Sequence, residues 1–580
     1  MSSQNTATTG FESKFTWLKM TAKRVLVTFI MLALIQVSVW IGLCFFKVTG
    51  EEIYYTLKHY QGLVLSGLPL LHGAEVPMSI RSQGRVYTRK AVDVAHLTDQ
   101  VAEEAVHDIG RFLFFSLLVY PVVGFAAHRY YVRAGKKLTE EKHVRGCKLV
   151  SEEELIKEMR TRKEKTYISI GNLKMPVRAE NKHVFVVGRP GSGKGVCLLK
   201  VVDAVTKRGD RGIIYDYKGD YVKRFYDPKR DIIFNPLDSR CIGWSVLTDV
   251  LTVMGPDTVA NSLIPIVESE DANHKFFATA ARHIFAAILY CLKKQGKTRN
   301  ADIWEMLIAE KQVIGEALKS TPGCEMGATY YEESESKSYP DIKNTLMQYV
   351  TPFKYMQNID GGFSLKEWVE KGAGWIFVTN REQEKDTLRP ILSLMIDLLA
   401  RFMLDLPDDL DRRVFFFLDE FATLQKLPSI VLLLTGARSR GASVWLAIQD
   451  VGAITNCYGV NTRQTIINSL VNKIIFTVSE PETAEYLSSL ISSADITKSD
   501  EGQSWGPALM RDGINVSRRD SEKRLVTPGE LMALKELTAY VRFADYDITK
   551  TVLPNTDGIP TDIYFTIADP FILRPELTQF

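Results

Sequence analysis

Residues Lys182 to Leu199 read KHVFVVGRPGSGKGVCLL, and the fold is decided there. Four apolar residues, Val184 to Val187, make a strand. Gly188-Arg189-Pro190-Gly191-Ser192-Gly193-Lys194 make a glycine-rich turn, and Val196, Leu198 and Leu199 begin a helix. A loop that wraps a polyphosphate turns its backbone N–H groups inward, which needs positive φ angles and a close approach that a Cβ would block. Lys194 at the helix start reaches toward the β and γ phosphates while the helix N-terminus adds partial positive charge. The pattern GxxxxGK after a strand is a P-loop, so Gly188, Arg189, Pro190, Gly191, Ser192, Gly193, Lys194 and Gly195 are expected to bind ATP. Gly195 stands where a Ser or Thr hydroxyl usually coordinates magnesium, so Mg2+ is expected to lean on water and on a carboxylate from elsewhere.

Outward from this stretch, strands and helices alternate. Gly212 to Asp216 and Ile232 to Pro236 read as buried strands, Gly374 to Thr379 resumes the pattern, and Leu388 to Leu404 reads as a helix. Such alternation argues an α/β fold with a parallel, helix-covered sheet, and acids at the carboxyl ends of its strands point toward the ligand crevice. Asp216 is therefore a relay candidate, with a plain strand-end cap as the alternative. Val414 to Leu418 is an apolar strand delivering Asp419 and Glu420 together, a Walker B pattern. Asp419 would hold Mg2+ through water, and Glu420 would orient or deprotonate the attacking water. The turn Gly436-Ala437-Arg438-Ser439-Arg440-Gly441 precedes a strand, Ser443 to Ile448, that ends in Gln449. Gln449 can sense a γ phosphate or simply close the strand end. Arg438 can stabilise charge in a neighbouring subunit's site or belong to a surface turn. Lys473 to Val478 and Ala539 to Ala544 read as further strands, the latter as the last, and Ala494 to Arg524 as a polar tail.

Ahead of the P-loop the chain is apolar in two places. Val25 to Phe46 carries no charge and is long enough, at roughly 33 Å as a helix, to cross a bilayer. Phe112 to Ala127 is shorter and is read as a second span flanked by Arg111 and Arg129, against the alternative of a soluble helix kinked at Pro121. Lys14, Lys19, Lys23 and Arg24 precede the first run, and Arg129, Arg133, Lys136 and Lys137 follow the second. Both flanks therefore belong inside, and a small loop lies outside. With 46% hydrophobic and 24% charged residues the chain is globular rather than disordered. A net charge of +3 gives no bulk attraction for nucleic acid, so any basic surface is local. The seven cysteines are scattered without a C-x-x-C pair, which argues against a zinc site or a disulfide framework and fits a reducing compartment.

These patterns divide the chain into a cytosolic tail (1–24), a transmembrane hairpin with a small external loop (25–131), a helical connector (132–165), a motor domain in two parts (166–254 and 367–580, the second with the C-terminal tail) and an all-α insertion (255–366). In the insertion the strand signal disappears, and Phe277, Ala281, Ile284, Ile288 and Cys291 share one helical face, a pattern of core packing. Tyr167 to Ile170 with the turn Gly171-Asn172 reads as a hairpin opening the motor.

In order along the chain, the two-span hairpin, GRPGSGKG at 188–195, YDYKGDY at 215–221, FNPLD at 234–238, the helical insertion, LDEFATLQKLPS at 418–429, GARSRG at 436–441 and AIQD at 447–450 resemble the type IV coupling proteins of bacterial conjugation, the TraD/TraG-like membrane ATPases. The resemblance implies a RecA-like P-loop NTPase motor bearing an all-α domain. It also implies a homo-hexameric ring and a Gram-negative inner-membrane location, with both termini and the motor cytoplasmic. The implied function is ATP-driven translocation of DNA, single-stranded in the first reading and double-stranded in the second, passing a relaxase and its relaxosome to a type IV secretion channel. By match, Lys194 and Glu420 are the ATPase residues, Asp419 the Mg2+ residue, Gln449 the sensor and Arg438 a trans-acting arginine. A double-stranded DNA pump of the chromosome-segregation kind and a nucleotide-switched receptor without turnover are the alternatives. Lys426, Arg440 and Arg463 are candidate DNA contacts in a pore.

Overall fold

The structure is a computed structural model that describes residues 26–27, 29–67, 76–139, 142–267, 271–332, 338–491, 493–504, 513–554 and 569–577. The tail 1–24, with its four basic residues, lies outside the described residues. The chain divides into two compact units, one within Met1–Glu141 and Ser499–Ser517, the other within Lys142–Lys498 and Arg518–Phe580.

In the first unit, the helix Phe29–Lys47 has a mean hydropathy of 2.3 and none of its most apolar window is buried. A helix so apolar and so bare needs another solvent than water. Thr49 and Glu52 form a capping box that starts the next helix, Gly50–Ser66. An antiparallel hairpin, Pro77–Ser82 with Arg85–Lys90, follows. The helix Gly50–Ser66 crosses the later helix Ala91–Leu117 closely enough at Gly62 that a Cβ would lie 2.8 Å from Ala91 O. Met78, Ile80, Ala91 and Val94 form a small core with Tyr54, Tyr55, Leu65 and Val76. The expected loop is thus a folded module. The second apolar run forms the end of a longer helical stretch, Ala91–Ala126, whose most apolar part is almost wholly unburied, and it crosses a break at Leu118, where the helix Val119–Thr139 restarts. Pro121 falls in the first turn of that restarted helix, where its missing N–H had no acceptor to lose, so it does not kink a helix interior. Tyr120 donates to Gln36 Oε1 at 2.6 Å, joining the two apolar helices.

The second unit is built on one sheet of ten strands in the order Leu149–Val150, Ile548–Val552, Thr538–Arg542, Asn472–Ile475, Val184–Val187, Ala442–Ile448, Val414–Leu418, Arg211–Asp216, Trp375–Thr379, Ile232–Phe234. From Asn472–Ile475 onward all neighbours are parallel. Successive residues go to opposite faces. Val414, Phe416 and Leu418 join one core, and Phe415 and Phe417 the other, which is why the strand reads as an unbroken apolar run. The P-loop helix, Lys194–Arg208, packs Cys197, Leu198, Val201, Val202 and Val205 on the second face. The opposite face carries the helix Lys385–Asp405 and the all-α domain. In that domain the helix Ala272–Lys294 is also apolar, but 61% of its most apolar window lies inside the fold, with Ala281, Ile284, Ile288 and Cys291 buried as its stripe predicts.

Three expectations change. The connector is not one helix: two short strands, Lys142–Arg145 and Leu149–Val150, precede the capped helix Glu152–Arg162, and Leu149–Val150 ends the large sheet as an edge strand. Ala539 to Ala544 is not the last strand, because Ile548–Val552 pairs back antiparallel on Thr538–Arg542. The polar tail contains strands at Ser493–Ser504 and Gly513–Arg524.

Candidate nucleotide site

The strand order brings the predicted residues together. The strand bearing Gln449 lies between the P-loop strand and the strand bearing Asp419 and Glu420, with Ile448 level with Val187 and Leu418 level with Leu446. All three strands run in one direction, so their carboxyl ends open on one edge. The turn is held from both sides: Gly188 N donates to Ile448 O at 3.3 Å, Arg189 N to Thr477 O at 2.8 Å, and Leu537 N to Ser192 O at 2.9 Å. Gly191 and Gly193 have φ of 76° and 117°, and a Cβ on Gly191 would meet no atom within 4 Å, so this stretch borders open space. Ser192 Oγ is buried without a hydrogen-bond partner. The first N–H groups of the helix beginning at Lys194 have no acceptor within it. An orphaned hydroxyl, free helix N–H groups and a lysine fit a polyphosphate.

Lys194 is buried and its ammonium donates to Gly188 O. Burial pulls its pKa down, opposed by the carboxylates of Glu420 and Asp419. Burial likewise raises Asp419 and Glu420, opposed at Asp419 by the Tyr221 hydroxyl and then Lys194, and at Glu420 by Gln449 and then Lys194. Gln449 Nε2 donates to Glu420 Oε2 at 2.6 Å. Glu420 has a φ of 61°, an uncommon left-handed backbone, held by Thr423, whose N and Oγ1 both donate to Glu420 O at 3.0 and 2.8 Å. Gly195 is exposed at the helix start, and a Cβ there would touch nothing within 4 Å. The missing hydroxyl is therefore not a matter of space.

Other expected residues lie elsewhere or have different partners. Asp216 is a cap: its Oδ2 accepts from Tyr221 N at 2.9 Å and Val222 N at 2.8 Å, and burial pushes it up to about 7. Arg438 is exposed and precedes the amino end of Ala442–Ile448, whereas Gln449 follows the carboxyl end. A strand of that length separates them by roughly 23 Å, so Arg438 does not reach the P-loop of its own chain. The three candidate DNA contacts are each engaged: Arg440 donates to Leu406 O and Gly436 O, Lys426 to Ile266 O, and Arg463 to Thr455 Oγ1 while stacking on Tyr486. Sequence reasoning missed Tyr221, Thr423, Thr477 and Leu537. Only Tyr221 and Thr423 stand in motifs that signalled the site; Leu537 comes from a remote turn with no signal of its own.

Residues 167–554 match the family model described as the type IV secretion-system coupling protein DNA-binding domain. The chain belongs to the type IV secretion-system coupling proteins. This coupling protein is 28% identical over 419 residues to coupling protein TraD of Escherichia coli strain K12, covering 70% of this chain and 58% of TraD. It is 22% identical over 401 residues to a conjugal transfer protein TraG of Escherichia coli, covering 61% and 62% respectively. It thus spans less than two thirds of either relative. Among solved structures, the bacterial conjugative coupling protein TrwBdeltaN70 is 26% identical with a TM-score of 0.65, covering 75% of this chain and 97% of that one. TrwB has also been solved with ADP and Mg2+, TM-score 0.64, and with the non-hydrolysable ATP analogue ADPNP.

Proposed function

We propose that this coupling protein is an ATP-driven DNA translocase of conjugative transfer, anchored in the inner membrane by two spans with the motor cytoplasmic. In this reading it works as a homo-hexamer, takes DNA and its relaxase from the relaxosome, and passes them to the type IV secretion channel. The observation that carries the reading is the Gln449–Glu420 hydrogen bond on an acid pair that interacts with the P-loop lysine. A nucleotide switch needs the lysine but has no use for a buried, oriented glutamate beside it.

The P-loop N–H groups and Lys194 would bind the phosphates of ATP. Glu420, its carboxylate turned by Gln449, would orient the attacking water and take its proton. Among the described residues no cluster of three or more His, Cys, Asp or Glu forms a metal site, so Asp419 would hold Mg2+ together with water and the nucleotide's own oxygens. When bound, the ion neutralises charge developing on the phosphates. Arg438, remote in its own chain, would serve a neighbouring copy in the ring.

The test uses the full chain in lipid nanodiscs, with ATP turnover measured with and without DNA. Turnover is expected to rise with DNA, and Lys194→Ala and Glu420→Gln to lower it by about 100-fold or more, the second variant still binding ATP. Turnover in either variant equal to that of the unaltered protein would remove the motor.

A further inference from the structure

The parallel register sets Leu418 beside Tyr215, so the next residues, Asp419 and Asp216, end neighbouring strands side by side. Two carboxylates at strand spacing, roughly 4.8 Å, compete for the same donors unless the fold separates their duties. It does so with the turn between Tyr217 and Tyr221, in which Gly219 takes a φ of 77°. Asp216, 1% exposed, is committed to the backbone N–H groups of Tyr221 and Val222. That pair of bonds fixes the backbone of Tyr221, which is 2% exposed and packs in the core formed with Val222, Phe225 and Phe377. Its hydroxyl reaches out of this core and donates to Asp419 Oδ2 at 3.1 Å. A carboxylate on a strand end rotates freely about its last torsion. A donor that is itself immobile removes that freedom.

We infer that Tyr221 is a positioning residue for Asp419, holding the carboxylate in the orientation with which it meets a divalent cation. It rests on the reading of this edge as a nucleotide site, and it uses residues that reading does not. The nearby Tyr215 has the same burial, but its hydroxyl is bonded to Thr423 Oγ1 at 2.8 Å, so burial of a tyrosine on this edge does not by itself imply a carboxylate partner.

The test needs a readout that a purely structural tyrosine would not move. Mn2+ binding to the full chain saturated with a non-hydrolysable ATP analogue, followed by electron paramagnetic resonance, gives the cation affinity without turnover. Tyr221→Phe removes one oxygen and keeps the ring in its packing. The Mn2+ Kd is expected to rise about fivefold or more, nucleotide affinity without metal to stay unchanged, and the Mg2+ concentration for half-maximal turnover to rise in parallel. Equal Mn2+ Kd in the folded variant and the unaltered protein overturns the inference and leaves the motor standing. Mn2+ binding weakened by the substitution in a protein that never hydrolyses ATP removes the motor and leaves Tyr221 standing. No Mn2+ binding by the unaltered protein removes both.

Discussion

Glu420 adopts a left-handed backbone at a φ of 61°, which costs a residue with a Cβ on the order of 1 kcal/mol. The two bonds from Thr423 to its carbonyl hold it there, and its side chain meets Gln449. Burial already raises the Glu420 pKa, and the Gln449 bond works against that rise. Gln449→Ala therefore raises it further. In the proposed role Glu420 takes a proton and so works ionised, and the acid limb of the pH–rate profile is expected to move to higher pH, together with a fall in kcat of roughly tenfold. His183 offers a separate titration at the other end of the P-loop strand. It is 1% exposed, accepts from Val444 N at Nδ1, and faces Leu434 O with Nε2, so the neutral ring carries its proton on Nε2. Burial lowers its pKa from 6.5 to about 4. Between those values the unfolded chain binds the proton and the native state does not, so stability is full above pH 6.5 and falls as pH drops through 4. The full difference is about 3 kcal/mol. His183→Asn, which tolerates the φ of 54°, is expected to flatten the denaturant-measured slope over that window.

At the scale of elements, the turn that follows the sheet's outer strand Ile232–Phe234 is held by a segment from far along the chain, residues 569–577. Ser239 N donates to Ile572 O at 2.8 Å, Arg574 N to Leu237 O at 3.0 Å, and Ile572 N to Asp238 Oδ2 at 3.0 Å. Arg574 bridges Pro236 O and Tyr355 O, so one guanidinium ties the motor's edge to the all-α domain. The same segment lays Pro570 against Gly219, where a Cβ would come within 2.6 Å, and Phe571 under Arg381. Ending the chain at residue 568 removes these bonds and leaves Ser239 N and the Leu237 carbonyl without those partners. The expected loss is about 2–4 kcal/mol, read as a lower thermal midpoint in calorimetry, with proteolytic cleavage appearing between the edge strand and the all-α domain. An unchanged midpoint would mean the segment is bound too weakly to matter.

For the whole molecule, charge is local. The chain carries a net +3, and the cations picked from sequence as DNA contacts are bonded to their own chain. Arg189, Lys218 and Arg389 are instead exposed on the motor. If DNA is gripped through phosphates by such side chains, its affinity for the full protein is expected to fall at least tenfold between 50 and 200 mM salt. Fluorescence anisotropy with a labelled oligonucleotide checks this, and a flat salt response would exclude phosphate contacts as the main source of affinity.

The P-loop, the acid pair, the strand-end glutamine, the apolar helices and the helical insertion were legible in the sequence because each is written in neighbouring residues. Glycine spacing sets the φ angles, an uncharged run sets the solvent, and a period sets the buried face. What no local pattern contains is which strand lies beside which. Only the tertiary structure inserted the Gln449 strand between lysine and acids, brought Leu537 onto the turn, and set Asp216 to capping and Tyr221 on Asp419. Those placements depend on sheet order and register, which are fixed by the packing of two whole faces at once rather than by the residues that end up in contact.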